Sequence, residues 1–449
     1  MQRRLTLLNA TNINMANMVG IGPFIAIALI LKTLEGPQAY LAWITGTLIA
    51  LADGMVVAEL GASIPAAGGT YVFLKEGFGP KTWGRMLAFL FVWQVLFAGP
   101  LEIASGNIGL VQYLRVFLPD MSGMEGKFLA AGICGLLVFA LYRRIDDIAK
   151  LMFALWSVML LTTGWVIITG LLYFDAALAF DLPPNAFDFS LDFIASLGTG
   201  SAEVLYLFLG YYQVCYLGAE VRDPGRTIPK AVLYSVLAVA AIDIAISFSF
   251  IGVVPWRQAM ESQFLGALFM EQALGPWASD VLAGMIVLTA FGSIFALLLG
   301  YSRVPYAAAR DGIFFRSLAV LHPTKEFPHR SLLLMGAGAM AASFFSLDNV
   351  IKALMAARIL IQFVGHTIAL FLIRRDRPDI QRPFRMWAYP LPAIVSLVGY
   401  IYVFLSLGGT FVVFGIGTLL LGAAVYLAMA RRQRQWPFGG RPAEVKTDA

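Results

Sequence analysis

The sequence predicts an all-α polytopic membrane protein of about twelve transmembrane helices, with the first and sixth spans broken and the two halves related as an inverted repeat. Three observations predict it. Of 449 residues, 59% are hydrophobic and 13% charged, with a mean hydropathy of +0.77; that is about half the charge of a soluble chain. Apolar runs of helix-spanning length recur along the chain and are too long for barrel strands. Two of these runs, the first and the sixth, read as helices interrupted at a mid-membrane glycine, the first with two glycines and a proline together.

The runs lie near 13–31, 39–62, 83–114, 127–142, 150–173, 194–219, 231–254, 279–306, 331–346, 350–373, 389–406 and 410–430. The first contains Asn17-Met18-Val19-Gly20-Ile21-Gly22-Pro23-Phe24. Proline lacks a donor N–H and glycine is entropically loose, so the helix is expected to break there. In hydrocarbon a break survives only where it is buried or lines a cavity, which makes it a binding-site signal. Unwinding at Val19, Gly20, Ile21 and Gly22 exposes amides at the start of a half-helix, suited to a carboxylate, and carbonyls before it, suited to an ammonium. A proline kink without a ligand is the alternative.

The second run carries Asp53 and Glu59 toward its cytoplasmic end, and the third carries Glu102 within Gly99-Pro100-Leu101-Glu102-Ile103-Ala104-Ser105-Gly106. A carboxylate near mid-membrane costs about 2.5–3.5 kcal/mol on insertion scales, so it faces a cavity or a partner. Glu102 is read as a proton-coupling site or a contact for a cationic substrate group, against a structural pair with Arg358. The sixth run reads Tyr206-Leu207-Phe208-Leu209-Gly210-Tyr211-Tyr212-Gln213 and places a second break at Gly210. Around it Phe208, Tyr211 and Tyr212 are expected to wall a cavity, Tyr211 as a gate, with Tyr212 and Gln213 offering hydrogen bonds. Bundle packing is the plainer account of these rings. Asp243 and Arg358, within the seventh and tenth runs, are read as charge-compensating residues, and His366 as a packed histidine.

Charge sets the orientation. Six basic residues (Lys32, Arg115, Lys127, Arg257, Lys352 and Arg358) fall in odd-numbered loops or within a span, which leaves 26 of 32 Lys and Arg on the other side, Arg143, Arg144, Arg374 and Arg375 among them. The positive-inside rule then puts both termini in the cytoplasm. The net charge of +5 reports topology and not a nucleic-acid partner. Cys134 and Cys215 lie in apolar runs and are expected to pack without a disulfide. No cleavable signal is expected before the first run, and no appended soluble domain is expected. The halves echo each other: Gly20 to Gly210 is an offset of 190 and Gly79 to Gly275 one of 196, and five spans per half reverse the second half. The organisation is a segment 1–12, a transporter domain 13–430 (repeats about 13–173 and 194–373, peripheral helices about 389–430) and a polar tail 431–449.

Several motifs occur together. Ala58-Glu59-Leu60 is followed by Ile64-Pro65-Ala66-Ala67-Gly68-Gly69-Thr70-Tyr71 and Gly77-Phe78-Gly79-Pro80; Gly218-Ala219-Glu220-Val221-Arg222-Asp223-Pro224 follows the sixth run; Ser302-Arg303-Val304-Pro305-Tyr306 ends the eighth; and Arg377-Pro378-Asp379 with Arg382-Pro383-Phe384-Arg385 precedes the eleventh. In this order they resemble the amino acid–polyamine–organocation permeases, across nearly the whole chain. The resemblance implies ten core spans in a five-plus-five repeat plus two peripheral spans, and transport of amino acids or related amines by alternating access. It also implies an inner-gate network of Glu59, Glu220 and Arg303, and a gating aromatic at Tyr211. Here Ile21 replaces the family's small polar residue between Gly20 and Gly22. The fifth-span lysine of proton-coupled members falls near Met159, the run's only lysine being Lys150.

Catalytic and metal-binding motifs are missing: there is no His-Glu-x-x-His, no phosphate loop and no cysteine pair at metal spacing. The chain is therefore read as no enzyme, and as needing no cofactor or metal. The expected partners are the lipid bilayer, a small amino acid or amine, and a proton if transport is proton-coupled. Proton symport and exchange both stay open, as do a polyamine substrate and a non-transporting amino-acid sensor.

Overall fold

The computed structural model describes residues 3–142, 148–323 and 327–439, with the side chains of 148–153 left aside. Arg143, Arg144, the Lys150 side chain and residues 440–449 of the tail lie outside the described residues. Among the described residues the chain is helical without named strands; two isolated bridges pair Leu5 with Val221 and Ala67 with Leu217.

In the first half, α1 (Leu7–Met18) and α2 (Gly22–Leu34) meet at a 52° bend. Thr6 caps α1, its hydroxyl accepting from the Asn9 amide. Pro23 in the first turn starts α2, where its missing N–H costs nothing. Next come α3 (Tyr40–Ser63), the short α4 (Thr70–Gly77), α5 (Trp83–Leu114), α6 (Gly123–Tyr142) and α7 (Ile148–Leu172). The acidic loop contains α8 (Ala176–Ala179).

The second half opens with α9 (Leu191–Leu207), capped by Ser190. After a break come α10 (Gln213–Tyr216), α11 (Pro224–Ile251), the short α12 (Trp256–Ala259) and α13 (Leu265–Leu274), and α14 (Pro276–Arg310). The chain continues through α15 (His329–Ala342), α16 (Leu347–Arg358), a π-helical stretch Ile359–Val364, α17 (Gly365–Asp376), α18 (Leu391–Ser406) and α19 (Gly409–Gln433).

Each of the twelve apolar runs contains a helix, but fewer are long enough to cross a bilayer unaided. Among the described residues eight helices are long and apolar enough, or nine when the bent pair α1–α2 counts as one span. The sixth, ninth and eleventh runs give helices of 17, 14 and 16 residues. The sixth is shortened by the break that follows Leu207; α15 ends at Ala342 with Ser343 as its C-cap, and α18 at Ser406 with Leu407 as its C-cap. Both cysteines are free and buried.

The longest helices, α5 and α14, pack along one another, as do α3 and α11. Close approach relies on missing side chains: a Cβ on Gly46 of α3 would meet Val204 of α9 at 2.6 Å, and a Cβ on Gly106 of α5 would meet Ile294 of α14 at 2.8 Å. One end of the bundle gathers both ends of the described chain. The amides of Arg4 and Leu5 donate to the Glu220 carbonyl, and Trp436 packs edge-on against Trp83.

Candidate functional site

The two breaks touch. Gly210 has φ +129°, and a Cβ there would sit 2.7 Å from the Cβ of Asn17; only glycine takes that backbone angle without strain beside so close a neighbour. Asn14 fixes the junction, its Oδ1 accepting the Val214 amide at 2.8 Å and its Nδ2 donating to Ser235 Oγ at 3.3 Å. Among the described residues, the amides of Gly20 and Ile21 make no hydrogen bond, so the Ala16 and Asn17 carbonyls lose their helical donors. The amides of Gly210, Tyr211 and Tyr212 are likewise unbonded.

A cavity of about 60 Å³ opens on the first break. Val19, Gly20, Ile21 and Gly22 line it, with Glu102 on α5, Tyr206 and Leu207 on α9, and Ser293 on α14. Unbonded amides at the start of α2 and unbonded carbonyls at the end of α1 give it opposite partial charges at its two ends. Ser293 Oγ closes one wall, 2.7 Å from where a Gly20 Cβ would stand. Tyr206 shares a 2.9 Å hydrogen bond with Ser105, whose hydroxyl donates to the Glu102 carbonyl at 2.7 Å.

Glu102 does not face the cavity as a free charge. Arg358 donates to its Oε2 at 2.5 Å, and Tyr301 OH donates to the same oxygen at 2.6 Å. Arg358 also donates to Tyr212 OH at 2.6 Å and to Tyr301 OH. Arg358 is 2% exposed and Glu102 9%, so the pair is desolvated and its charges must meet each other.

A larger cavity of about 610 Å³ is lined by Tyr212, Tyr301 and Arg358 of this cluster and by Gly68, Arg303 and Asp311. It opens toward the end that gathers the chain termini. Glu102 lines the small cavity and Arg358 this vestibule, so the pair links the two, which also share Asn17, Ala296 and Leu297 on their walls.

The remaining expected site residues divide. Gln213 and Arg303 line the vestibule. Phe208, Gly210 and Tyr211 line neither cavity; Phe208 is fully buried, and Tyr211 turns its hydroxyl to Asp53. Glu59, Glu220 and Arg303 form no common network among the described residues. Instead, Glu59 takes Arg374 in a two-pronged bond (2.7 and 2.6 Å) and the Met386 amide at 2.8 Å, whereas Glu220 acts through its backbone. Asp243 does not meet Arg358, and neither of its carboxylate oxygens has a hydrogen-bond partner. His366 is more than packing, since its Nε2 lies 2.9 Å from Asp53 Oδ1. Tyr206, Tyr301 and Ser105 escape the sequence reading; for Tyr206 the available signal is its place one helical turn before Gly210.

A sequence model of the amino acid permease family matches residues 5–430. The chain belongs to that family. This amino acid permease is similar to a branched-chain amino acid permease of Bacillus subtilis, 22% identical over 96% of this chain and 94% of the relative. It is also similar to a serine/threonine exchanger of Bacillus subtilis, 25% identical over 96% and 98% of the two chains. A large neutral amino acids transporter small subunit 2 of Oryctolagus cuniculus is 26% identical over 95% of this chain and 80% of its own. The permease is thus a multi-pass membrane transporter and not an enzyme.

Proposed function

We propose that this permease carries neutral amino acids across the cytoplasmic membrane by alternating access, with both termini in the cytoplasm. One observation carries the substrate class: the cavity at the broken first span offers unbonded backbone amides and carbonyls, and its one carboxylate, Glu102, is already neutralised by Arg358. A zwitterion matches the two backbone ends. Its side chain would then meet Val19, Ile21, Leu207, Leu297 and the Tyr206 ring, a mostly apolar wall.

An amine with no carboxylate would leave the amides unpaired and find no free negative charge, which argues against a polyamine. The named substrates of the branched-chain and large-neutral relatives agree with an apolar wall. The vestibule supports transport over mere sensing, because it gives the site a route to one face. With Gly68 and Arg303 on its walls, that face is the cytoplasmic one by the positive-inside count. The Glu102–Arg358 pair, with Tyr212 and Tyr301, then acts as the inner barrier that must part for release, so Glu102 serves as gate and not as proton carrier. Proton symport and exchange remain the two driving modes.

The test is uptake into liposomes of labelled leucine, alanine, serine, arginine and putrescine, each with and without a pH gradient and with and without amino acid inside. Flux of leucine, alanine or serine above arginine and putrescine is expected. Preferred flux of putrescine or arginine, or binding of neutral amino acids with no flux, refutes the proposal.

A further inference from the structure

We propose that Asp53 and His366 form a proton-binding site, separate from the amino-acid cavity and tied to the sixth-span break through Tyr211. The proton site stands on geometry alone; its coupling to transport rests on the transport reading above.

Four elements build the site. Asp53 of α3 turns Oδ1 to His366 Nε2 of α17 at 2.9 Å and to Ser396 Oγ of α18 at 2.8 Å. Its Oδ2 accepts from Tyr211 OH in the break. Asp53, His366 and Ser396 are fully buried and Tyr211 nearly so. Around them Tyr400 OH lies 3.3 Å from Tyr211 OH, and Thr367 Oγ1 lies 3.3 Å from Ser396 Oγ. Phe363 stacks on Tyr400 and sets its edge against the imidazole.

Among the described residues, no lysine or arginine bonds to Asp53. From α11, packed against α3 at Gly54, the neighbours are Val232, Val236 and Leu233; from α4, against Gly365, it is Leu74. The nearby arginines are engaged elsewhere, Arg358 with Glu102 and Arg374 with Glu59. The imidazole is the one group of the cluster that can supply a positive charge.

Because Asp53 accepts at Nε2, the neutral imidazole holds its hydrogen there and leaves Nδ1 bare, and Nδ1 has no partner. One proton from water added at Nδ1 changes the cluster from net −1 to net zero. A buried carboxylate without a compensating charge is costly, so proton occupancy decides whether this packing of α3, α17 and α18 is comfortable.

Tyr211 carries that occupancy to the break. It directly follows Gly210, and the next residue, Tyr212, holds Arg358. If the break rearranges when the barrier opens, Asp53 loses one of its three hydrogen-bond donors, and the pair's hold on a proton changes. By reciprocity, proton binding biases the break. The π-helical stretch Ile359–Val364 lies between Arg358 and His366 on the same run, and such segments inside helices mark functional adjustments.

Two measurements test this on the full-length protein. In lipid nanodiscs with ¹⁵N-labelled histidine, the three histidines give three pairs of ring-nitrogen signals, and H366Q identifies one pair by its loss. The His366 signal is expected to change with pH, and both D53N and Y211F are expected to move the pH at which it changes. A signal that holds one protonation state throughout, or a midpoint unmoved by both substitutions, overturns the proton site. In liposomes, alanine and leucine uptake by the wild type is expected to vary about fivefold or more over two pH units, and by less than about twofold in H366Q. An unchanged pH profile in an H366Q protein that still transports overturns the coupling. If the wild type carries neither amino acid, the transport reading fails, and the imidazole titration still decides the proton site.

Discussion

The Glu102–Arg358 pair gives a prediction whose size follows from its burial. The guanidinium has 3% of its side chain exposed and the carboxylate 11%, with nitrogen and oxygen 2.5 Å apart. Removing one partner of such a pair leaves a buried, unmatched charge at about 3–5 kcal/mol, while replacing both with apolar groups is close to neutral. Glu102 borders a cavity that can admit water, and Arg358 keeps two tyrosine hydroxyls, so each single loss belongs near the lower limit. Glu102→Leu and Arg358→Met are each expected to cost about 3 kcal/mol, and the double variant about 1 kcal/mol or less, a coupling of roughly 5 kcal/mol. Reversible unfolding of the purified protein in mixed micelles, followed by circular dichroism, measures all three. The double variant should recover stability without recovering uptake, because an apolar pair can fill the barrier but cannot hold Tyr212. Additive losses in the double variant would refute the claim that the two charges compensate each other.

Two further substitutions probe the breaks. Gly20→Ala puts a methyl 2.7 Å from Ser293 Oγ but 3.6 Å from Ser293 Cβ; uptake is expected to fall about tenfold and to return substantially in Gly20→Ala/Ser293→Ala, since removing the oxygen restores ordinary contact. Rescue failure in the double variant would mean that the glycine serves its backbone and not the cavity wall. Gly210→Ala meets both a left-handed φ and the Asn17 side chain, and is expected to cost about 1–3 kcal/mol or more in the same unfolding assay, with no single partner substitution restoring it.

Much of the fold was legible because membrane insertion writes itself into composition. Long apolar runs, short basic loops and two glycine-bearing interruptions carry local information, and each run holds a helix. The first break was readable from Gly20, Gly22 and Pro23, since proline and glycine act through their own backbone. Which side chains reach the cavity was not readable. Tyr206, Tyr211 and Tyr212 sit on a stretch that is part helix and part turn, so their directions depend on the break's dihedrals, Gly210 above all. The aromatic expected to gate, Tyr211, points to Asp53, while Tyr206, a turn earlier, faces the cavity. Long-range pairing was equally hidden: Glu102 and Arg358 are 256 residues apart, and Asp53 and His366 are 313 apart.

The choice of cation separates the buried acids by role. Glu59 and Glu102 each meet an arginine, whose guanidinium stays charged at any physiological pH, so each of these pairs contains a fixed positive charge. Asp53 meets a histidine instead, the side chain suited to gaining and losing charge near neutrality. The two kinds of pair are held by consecutive residues of one break, Tyr211 on the histidine side and Tyr212 on the arginine side. A movement of this single turn must therefore act on both, which is how a proton bound away from the cavity can bear on a barrier beside it. A straight sixth helix would set neighbouring side chains about 100° apart on a rigid cylinder. In the broken helix Tyr211 bonds to Asp53 and Tyr212 accepts from Arg358, so under the proposal a glycine at 210 serves both pairs, independent of any contact with the transported molecule.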